Sequence, residues 1–412
     1  MRVAELFNRL LAPPGARVVA VELEQARTGP VVVVRLVRPA GRVGACSGCG
    51  QLVRRVHDRG ERRWRHLDLA GRRCEIVAEV RRLRCPACGV RAEVVPWARP
   101  GGRFSRPFED TCAFLARAAP QSVVAAMMRI DWGTVGRIAA RVVDEQRAGS
   151  DGLDGLRRIG VDEVSWRAGH HYLTVVVCHD SRRVVWVGRG DRRVALERFF
   201  DQLGPERAAR IEAVSADLGP AYLEVIGRRC PGAEVCADPF HVLAAAQFAL
   251  DRLRAAEWQR LRREDPGAGR WLKGTRFALR RGPARRTDAD RALIDQLAEA
   301  NAPVYRAHLW CDQLRATLRS DDPEAARAQL VALAEQATTL GHRRFTRMAG
   351  SIRRHLEQIV STIRRRLSNG RIEALNSTVR LISHRARGFR RVEHLIGLIH
   401  LTCGRVEVAL PI

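Results

Sequence analysis

The spacing of apolar and polar positions changes along the chain and predicts a succession of different structural regions. Up to about residue 95 the apolar residues form short runs typical of β-strands, and Val31–Val34 is the most apolar of these runs. Apolar residues then recur at helical spacing from Pro107 to Val143. Strand-like and helical runs alternate up to Ala237, and the rest is mostly helical and polar. We therefore expect a β-rich N-terminal region, a small helical unit, an α/β domain and a helical segment.

The predicted α/β region has a characteristic order of elements. Strands joined as hairpins come first, and strands then alternate with helices. The strands are Arg158–Val164, His171–His179, Val184–Val187, Ile211–Ser215 and Glu234–Ala237, and the helices are Val194–Leu203 and Pro220–Gly227. This order is typical of the ribonuclease-H-like fold, an α/β fold with a mixed five-stranded sheet and flanking helices. We assign residues 155–241 and 342–403 to this domain and residues 242–341 to a helical insertion that interrupts it.

The helical unit at residues 104–148 has the element lengths of a helix-turn-helix. A first helix is followed by a second that begins at Pro120, by a turn at residues 129–133, and by a third helix from Thr134 to Val143. Arg137 and Arg141 lie on the third helix, the element that reads DNA in this motif. Plain helical packing without DNA binding is the alternative interpretation.

Two Cys-x-x-Cys pairs predict a zinc site within the N-terminal β region, residues 1–95. Cys46 and Cys49 form one pair, and Cys85 and Cys88 form the other, so four thiolates are available for tetrahedral Zn²⁺. Buried free cysteines at chance spacing are the alternative. Candidate substitute ligands between the pairs are His57, His66 and Cys74.

The charge of the chain indicates a nucleic-acid partner. It has 72 Lys and Arg against 45 Asp and Glu, a net charge of +27 and a pI near 11.3. From His342 to Arg391, fourteen arginines stand against Glu357 and Glu373, which predicts a surface that faces phosphates. We find no apolar run of membrane-spanning length and no signal-peptide pattern, so we expect no membrane partner and a cytoplasmic, nucleoid-associated protein.

Three acids occur at positions where side chains from different elements can converge. Asp162 ends the first strand of the α/β region, and Asp217 follows the fourth. Glu373 lies in the first turn of a basic helix, with Asn376 and Arg380 on the same face. Three such carboxylates can hold two divalent metal ions, the usual device for breaking or transferring a phosphodiester.

The stretch Asp238-Pro239-Phe240-His241 follows the last predicted strand and has two interpretations. In the functional one, His241 orients the scissile phosphate or donates to a carboxylate of the metal site. In the structural one, Asp238 caps a helix and His241 packs against it. Glu163 is interpreted as a surface acid or as a residue that supports the metal ligands.

Several motifs together resemble those of bacterial insertion-sequence transposases of the DDE type, specifically the ISL3 family. The matching blocks are Cys46–Cys49, Arg81–Cys88, Ile159–Glu163, Ser215–Tyr222, Ala237–Val242, Ser368–Arg380 and Ala386–Arg390. They extend over nearly the whole chain, and no catalytic acid of the family pattern is missing.

The resemblance implies binding to the terminal inverted repeats of a mobile element, followed by strand cleavage and strand transfer into target DNA. It implies two Mg²⁺ or Mn²⁺ ions held by Asp162, Asp217 and Glu373, with Asp238 and His241 as further catalytic residues, and a structural Zn²⁺. A homodimer or higher oligomer on DNA is expected. The residues predicted to contact DNA are Arg137, Arg141, Asn376, Arg380, Arg387 and Arg390.

Two other functions remain open on the sequence. One is a ribonuclease-H-like nuclease that cleaves without strand transfer, and the other is an inactive or domesticated zinc and helix-turn-helix DNA-binding protein. Inverted repeats flanking the gene would favour the transposase over both.

Overall fold

The computed structural model describes most of the chain as two compact units, residues 1–149 with 385–412, and residues 150–384. The described residues are 3–11, 13–27, 29–39, 41, 43–167, 169, 171–367, 370–385, 389, 391–404, 406–408 and 410, without the side chains of 370–373. Within these ranges no helix has both the length and the apolar character needed to cross a membrane.

The first unit begins with a helix and a five-stranded sheet. Its elements are α1 (Val3–Leu11), β1 (Arg17–Ala26), β2 (Gly29–Val37), β3 (Gly44–Ala45), β4 (Leu52–Val53), β5 (Val56–Leu69), β6 (Arg72–Cys85) and β7 (Gly89–Ala92). The sheet order is β1-β2-β6-β5, with β7 also paired to β6, while β3 and β4 form a separate pair. Val34, Trp64 and Ile76 are buried in the core of the sheet.

The prediction of β-strands in the N-terminal region was wrong for Val3–Leu11. Ala4, Phe7 and Leu11 are spaced by three and four residues, so a helix presents all of them to the core of the sheet. β5 and β6 are long strands of 14 residues each. The exposed positions of these strands carry arginines that form ion pairs with acids on other strands, such as Arg63 with Glu24. These charged residues interrupt the apolar pattern along the two strands.

Three helices follow, at about the predicted positions: α2 (Arg106–Ala118), α3 (Gln121–Met128) and α4 (Trp132–Arg147). Asp131 caps α4 by accepting a hydrogen bond from the Gly133 N–H. The preceding turn passes through Arg129 in the left-handed conformation, with φ of 53°. Because the turn is this short, α4 starts two residues before the predicted Thr134.

The second unit contains a mixed five-stranded sheet. Its elements are β8 (Arg158–Arg167), β9 (His171–Cys178), β10 (Arg183–Arg189), α5 (Arg192–Leu203), α6 (Pro205–Ala208), β11 (Ala213–Ala216), α7 (Pro220–Arg229) and β12 (Glu234–Ala237). The order is β10-β9-β8-β11-β12. β8, β9 and β10 pair antiparallel, whereas β11 runs parallel to both β8 and β12. All five predicted strands are present, and α5 and α7 pack on the sheet through Phe199 and Ile226.

The remainder of this unit is helical. Its helices are α8 (Pro239–Glu264), α9 (Pro266–Gly274), α10 (Arg276–Arg280), α11 (Asp288–Ala300), α12 (Ala302–Thr317), α13 (Pro323–Thr339), α14 (Arg343–Arg354), α15 (Leu356–Arg365) and α16 (Gly370–Arg385), with a 3-10 turn at Pro283–Arg285. One apolar core extends from Ala237 through Trp310 and Phe345 to Val360. Since α14 and α15 belong to this core, the predicted boundary between residues 341 and 342 is not a break in packing.

The last helix, α17 (Val392–Cys403), packs within the first unit, against α4. Gly136 and Gly397 allow the close approach, because a Cβ at Gly136 would lie 2.7 Å from the His394 ring and one at Gly397 would lie 3.2 Å from Ala140 Cα. The sequence interpretation placed residues up to 403 in the catalytic domain. In the structure the division falls at residue 385 instead, because the apolar face of α17 is buried by helices of the first unit.

Candidate active site

Four cysteines of the first unit converge at the end of β6. The Sγ atoms of Cys46, Cys49, Cys85 and Cys88 all lie within 4.8 Å of one another. Tetrahedral Zn²⁺ with Zn–S bonds of about 2.3 Å places its sulfurs about 3.8 Å apart. The four thiols therefore fit a structural zinc ion.

The turn around Cys46 favours its thiolate form. The Gly48 N–H donates to Cys46 Sγ over 3.4 Å, and this donor together with the Cys49 N–H lowers the pKa of Cys46 to about 7. The substitute ligands named above lie outside the cluster, as far as the described residues show. His66 is hydrogen-bonded to Ser105 Oγ at 2.7 Å, and Cys74 is buried in the sheet core.

In the second unit, three aspartates stand at one level of three neighbouring parallel strands. Asp162 lies within β8, and Asp217 and Asp238 directly follow β11 and β12. Gly160 of β8 pairs with Ser215 of β11, which pairs in turn with Cys236 of β12. Two residues beyond these partners stand Asp162, Asp217 and Asp238. Adjacent strands are about 4.8 Å apart, and aligned residues project on the same face. We call this alignment the carboxylate row.

Asp162, the first member of the row, is partly buried, and burial raises the pKa of its carboxyl group. Its Oδ1 accepts the Glu163 N–H at 2.7 Å, and its Oδ2 accepts a hydrogen bond from Asn376 Nδ2 at 2.5 Å. The positive charges of His241 and Arg380 oppose the rise in pKa, whereas the negative charge of Asp238 adds to it. The carboxylate at this position is therefore only partly compensated by the protein.

Asp238 and His241 form a pair at the start of α8. Asp238 is 2% exposed and caps the helix by accepting the Phe240 N–H at 2.9 Å. His241 Nδ1 donates to the other carboxylate oxygen of Asp238 at 2.7 Å. This hydrogen bond, with the charges of Asp238, Asp217 and Asp162, raises the pKa of His241 to about 9. The predicted helix cap and the predicted functional histidine are thus both compatible with the geometry, and His241 carries a proton at neutral pH beside the row.

Asp217 is the most exposed member of the row and is approached by an arginine that the sequence did not single out. Arg192, on the first turn of α5, lies with Nη1 3.6 Å from Asp217 and with Nε 2.7 Å from a Glu163 oxygen. Its guanidinium stands over the Tyr222 ring at 5.8 Å. Glu163 therefore holds Arg192 beside the row. No sequence motif marks Arg192, because its position depends on how α5 packs against the sheet.

Asn376 of α16 occupies a different place from the one predicted. It was predicted to contact DNA, but it is 1% exposed and its amide donates to Asp162. Its Oδ1 is buried without a hydrogen-bond partner among the described residues. Arg380, one turn later, is exposed and near enough to lower the pKa of Asp162. The side chain of Glu373 lies outside the described residues, as do Arg387 and Arg390.

The donor set of the row suits a hard cation. Mg²⁺ and Mn²⁺ prefer oxygen ligands, and carboxylates supply most of them in proteins. The row provides the Asp162 and Asp217 carboxylates, and the unpartnered amide oxygen of Asn376 lies beside Asp162. Excess negative charge together with an unsatisfied buried oxygen is a reason to expect a bound cation.

The two arginines predicted to read DNA have different surroundings on α4. Arg137 is exposed, and its guanidinium donates to Thr134 Oγ1 on the same helix at 2.6 Å. Arg141 is partly buried and forms an ion pair with Glu109, which is fully buried. Of the two, Arg137 is the more available to a DNA backbone.

Comparison with known families follows the same division of the chain. A family model described as a transposase, of the ISL3 group, matches residues 159–399. A model for the zinc finger of transposases IS204, IS1001, IS1096 and IS1165 matches residues 42–88. A model for the helix-turn-helix domain of transposase family ISL3 matches residues 93–143.

Curated relatives agree over most of their length. The transposase for insertion sequence element IS1557 of Mycobacterium tuberculosis is 37% identical over 439 residues, covering 100% of this chain and 98% of the relative. The transposase for insertion sequence element IS1001 of Bordetella parapertussis is 30% identical over 364 residues, covering 87% of this chain and 88% of the relative.

Proposed function

The chain belongs to the ISL3 family of insertion-sequence transposases, and we propose that its carboxylate row cleaves the ends of the element and joins them to target DNA. The observation that carries this proposal is the alignment of Asp162, Asp217 and Asp238 at one level of three parallel strands. The strand order β10-β9-β8-β11-β12 is the one expected for a ribonuclease-H-like domain, which supports the same interpretation.

Asp162 and Asp217 are the proposed metal ligands, with Glu373 completing the set. Two bound Mg²⁺ or Mn²⁺ ions would lower the pKa of the attacking water or 3′-hydroxyl and would stabilise the leaving 3′-oxygen. The protein's own contribution is to hold the oxygens in place. Asn376 fixes the orientation of the Asp162 carboxylate through its amide hydrogen bond.

His241 and its partner Asp238 are assigned to the scissile phosphate. Asp238 fixes the ring of His241 and keeps it protonated, so a positively charged N–H can face an anionic phosphate at neutral pH. Such a donor stabilises the extra negative charge that develops on the phosphate oxygens during transfer. Arg192 and Arg380, which flank the row, add positive charge on the same surface.

The first unit is the proposed reader of the element ends. The zinc-binding and helix-turn-helix regions match DNA-binding modules of this family, and α4 presents Arg137 outward. Because a transposition reaction must hold two ends together, we propose that the chain acts as a dimer or larger assembly on DNA. We also propose that it is cytoplasmic and associated with the nucleoid.

The test is cleavage of a duplex that carries the inverted repeats flanking the gene. The wild-type protein with Mg²⁺ should nick the repeat boundary, and it should not do so when divalent metal is left out. Asp217→Asn should lose at least about a thousandfold of the cleavage rate. Glu224→Gln, which removes an exposed carboxylate of α7 outside the row, should cleave normally.

The products distinguish the remaining functions. Joining of the cleaved 3′ end to a second duplex establishes strand transfer, whereas cleavage without joining leaves the nuclease. Tight binding of the repeats without cleavage in any divalent metal would leave only the DNA-binding protein and would contradict the proposed site.

A further inference from the structure

An exposed face of α8 leads directly away from the carboxylate row. His241, Phe248 and Arg252 are spaced by seven and four residues and therefore lie on one side of the helix. Between them, Ala244 and Ala245 are exposed and leave the helix surface flat. The opposite side of α8, with Val242, Ala246 and Ala249, is buried in the core of the unit. The exposed stripe is thus not used for folding.

Arginines from α14 join this stripe. The Arg344 guanidinium stacks over the Phe248 ring at 4.4 Å, although Phe248 remains 51% exposed. Arg343 and Arg347, on the same outer side of α14, are exposed, while Phe345 and Met348 on its inner side are buried. We call Phe248, Arg252, Arg343, Arg344 and Arg347 the α8–α14 patch.

Positive charges collect in this patch without acids to balance them. Within the part of the chain that the structure describes, no ion pair or hydrogen bond is found for the guanidinium groups of Arg252, Arg343 and Arg347. Burial lowers the pKa of His342, and the nearby charges of Arg344, Arg343 and Arg252 lower it further. Arginines at the start of α14 are also repelled by the positive end of the helix dipole. The cluster therefore does not stabilise the fold.

Other arginines of the same unit show what a structural arrangement looks like. Arg364 and Arg365 both pair with Glu234, and Arg327 pairs with Glu357. Three arginines of the patch lack such acid partners among the described residues, so their positive charge is available to an external anion.

We propose that the α8–α14 patch binds the phosphate backbone of the DNA next to the phosphate that the carboxylate row attacks. At about 1.5 Å per helical residue, Phe248 lies about 10 Å and Arg252 about 16 Å along α8 from His241. That distance corresponds to about three to five nucleotides of one strand at about 3.4 Å each. The flat alanine surface lets the backbone approach the helix, and Phe248 holds the Arg344 guanidinium in one plane for a phosphate.

This inference rests on the proposed function, since it places DNA by reference to the row. It also assigns a role to the helical segment, namely to fix the path of the DNA strand as it leaves the site. A second copy of the chain, docking an acidic segment here, is the competing occupant.

The experiment removes three unpaired charges of the patch together and compares the effect with that of removing three charges elsewhere. The test variant is Arg252→Gln, Arg343→Gln and Arg347→Gln. The control variant is Arg280→Gln, Arg285→Gln and Arg306→Gln, which removes exposed arginines of the same helical segment outside the patch. Both should keep the wild-type melting temperature, because none of these arginines forms an ion pair among the described residues.

Binding to a duplex with one terminal repeat is measured without Mg²⁺ at several salt concentrations. The magnitude of the slope of the logarithm of the binding constant against the logarithm of the salt concentration should decrease by about 2 to 3 in the test variant, as expected for the loss of three phosphate contacts. The slope should be unchanged in the control variant. Hydroxyl-radical footprinting should show lost protection about three to five nucleotides from the cleaved phosphate. Phe248→Leu should reduce this protection partly, because it removes the ring face but no charge.

Failure of this inference can be told apart from failure of the proposed function. Suppose that Asp217→Asn abolishes cleavage, and that the salt slope and footprint of the test variant match those of the control variant. In that case only the proposal for the patch is wrong. If Asp217→Asn cleaves normally, the row itself is wrong. If the test variant changes self-association without DNA and leaves the salt slope unchanged, the occupant is a protein and the DNA proposal is overturned.

Discussion

The two units of this protein both gather ionisable side chains, but they balance the charges differently. In the first unit, Glu109 is fully buried and is enclosed by Arg99 and Arg141, and four thiols converge on one point. In the second unit, Asp162, Asp217 and Asp238 line up with cations only at their edges, chiefly His241 and Arg192.

The difference separates a structural site from a reactive one. A buried ion pair is costly to break, because removing one partner leaves the other charge buried and uncompensated. A carboxylate such as Asp162, whose pKa is raised by burial and which lies beside an unpartnered amide oxygen, is unfavourable by itself. It becomes favourable when cations and an anionic substrate arrive. Mutations that neutralise charge should therefore have opposite effects on stability in the two units.

Loss of the zinc ligands should have the largest effect. Cys85→Ser leaves three thiolates, and zinc-coupled folding of such sites is worth on the order of 10 kcal/mol. We expect zinc content to fall below one ion per chain and the β sheet of the first unit to lose its cooperative unfolding, measured by metal analysis and circular dichroism. Cys74→Ser, at a buried cysteine outside the cluster, should retain zinc. Full zinc occupancy in Cys85→Ser would contradict the four-cysteine site.

Neutralising Glu109 should come next. Glu109→Gln removes the fully buried carboxylate between Arg99 and Arg141. Arg99 keeps its ion pairs with Asp110 and Glu145, so we expect a loss of about 1 to 3 kcal/mol. Denaturant unfolding would measure the loss. Asp110→Asn, which also removes a partner of Arg99 but at a more exposed position, should cost less. An equal cost for both would show that burial is not what distinguishes Glu109.

Neutralising Asp162 should have the opposite sign. Without divalent metal, Asp162→Asn should leave stability unchanged or raise it by about 1 kcal/mol or less, because a carboxylate that burial disfavours has been removed. Asn376 can accommodate the change by turning its amide, so that its free Oδ1 accepts the new Asn amide. Cleavage should nevertheless be lost.

The pH dependence tests the row without a mutation. Burial raises the pKa of Glu109 as well, so the two carboxylates share the direction of the shift and differ in their ion-pair partners. The pKa of Asp162 is raised above its ordinary value of 3.8, so its contribution to stability is complete below that pH. The contribution is lost as the pH rises through the raised pKa. A strongly destabilised Asp162→Asn protein would mean that this carboxylate is balanced like Glu109, and the comparison between the units would fail.

The extent to which the sequence predicted these sites follows from how local their ligands are. The cysteine cluster was predictable because each pair lies on one tight turn, and the zinc-finger match confirms it. The strand order was predictable because hairpins and alternating helices restrict the topology. The position of Asp217 followed from the end of its strand, whereas Asp162 was predicted to end β8 and lies within it instead.

Features that depend on packing between distant segments were not predictable. Arg192 reaches Asp217 only because α5 begins beside the sheet, and Asn376 is buried only because α16 lies against β8. The packing of α17 in the first unit depends on Gly136 and Gly397, whose role is visible only when the helices cross. No periodicity in the sequence reports contacts of this kind.

The smallest expected effect concerns His241. Its pKa is raised from 6.5 to about 9, chiefly by its hydrogen bond to Asp238, so its stabilising contribution is complete below pH 6.5 and disappears as the pH rises through about 9. The side chain is 41% exposed, so solvent screening limits that contribution to about 1 kcal/mol.

His241→Gln should therefore be less stable than wild type near pH 6 and equally stable near pH 10, when unfolding is followed without added Mg²⁺. His342→Gln is a control of opposite sign, because the pKa of His342 is lowered. Its contribution to stability is lost as the pH falls below 6.5, and its stability difference from wild type should stay constant between pH 8 and pH 10. If the stability difference for His241→Gln stays constant from pH 6 to pH 10, His241 is held by packing alone, and the row has no proton-bearing neighbour to offer to a phosphate.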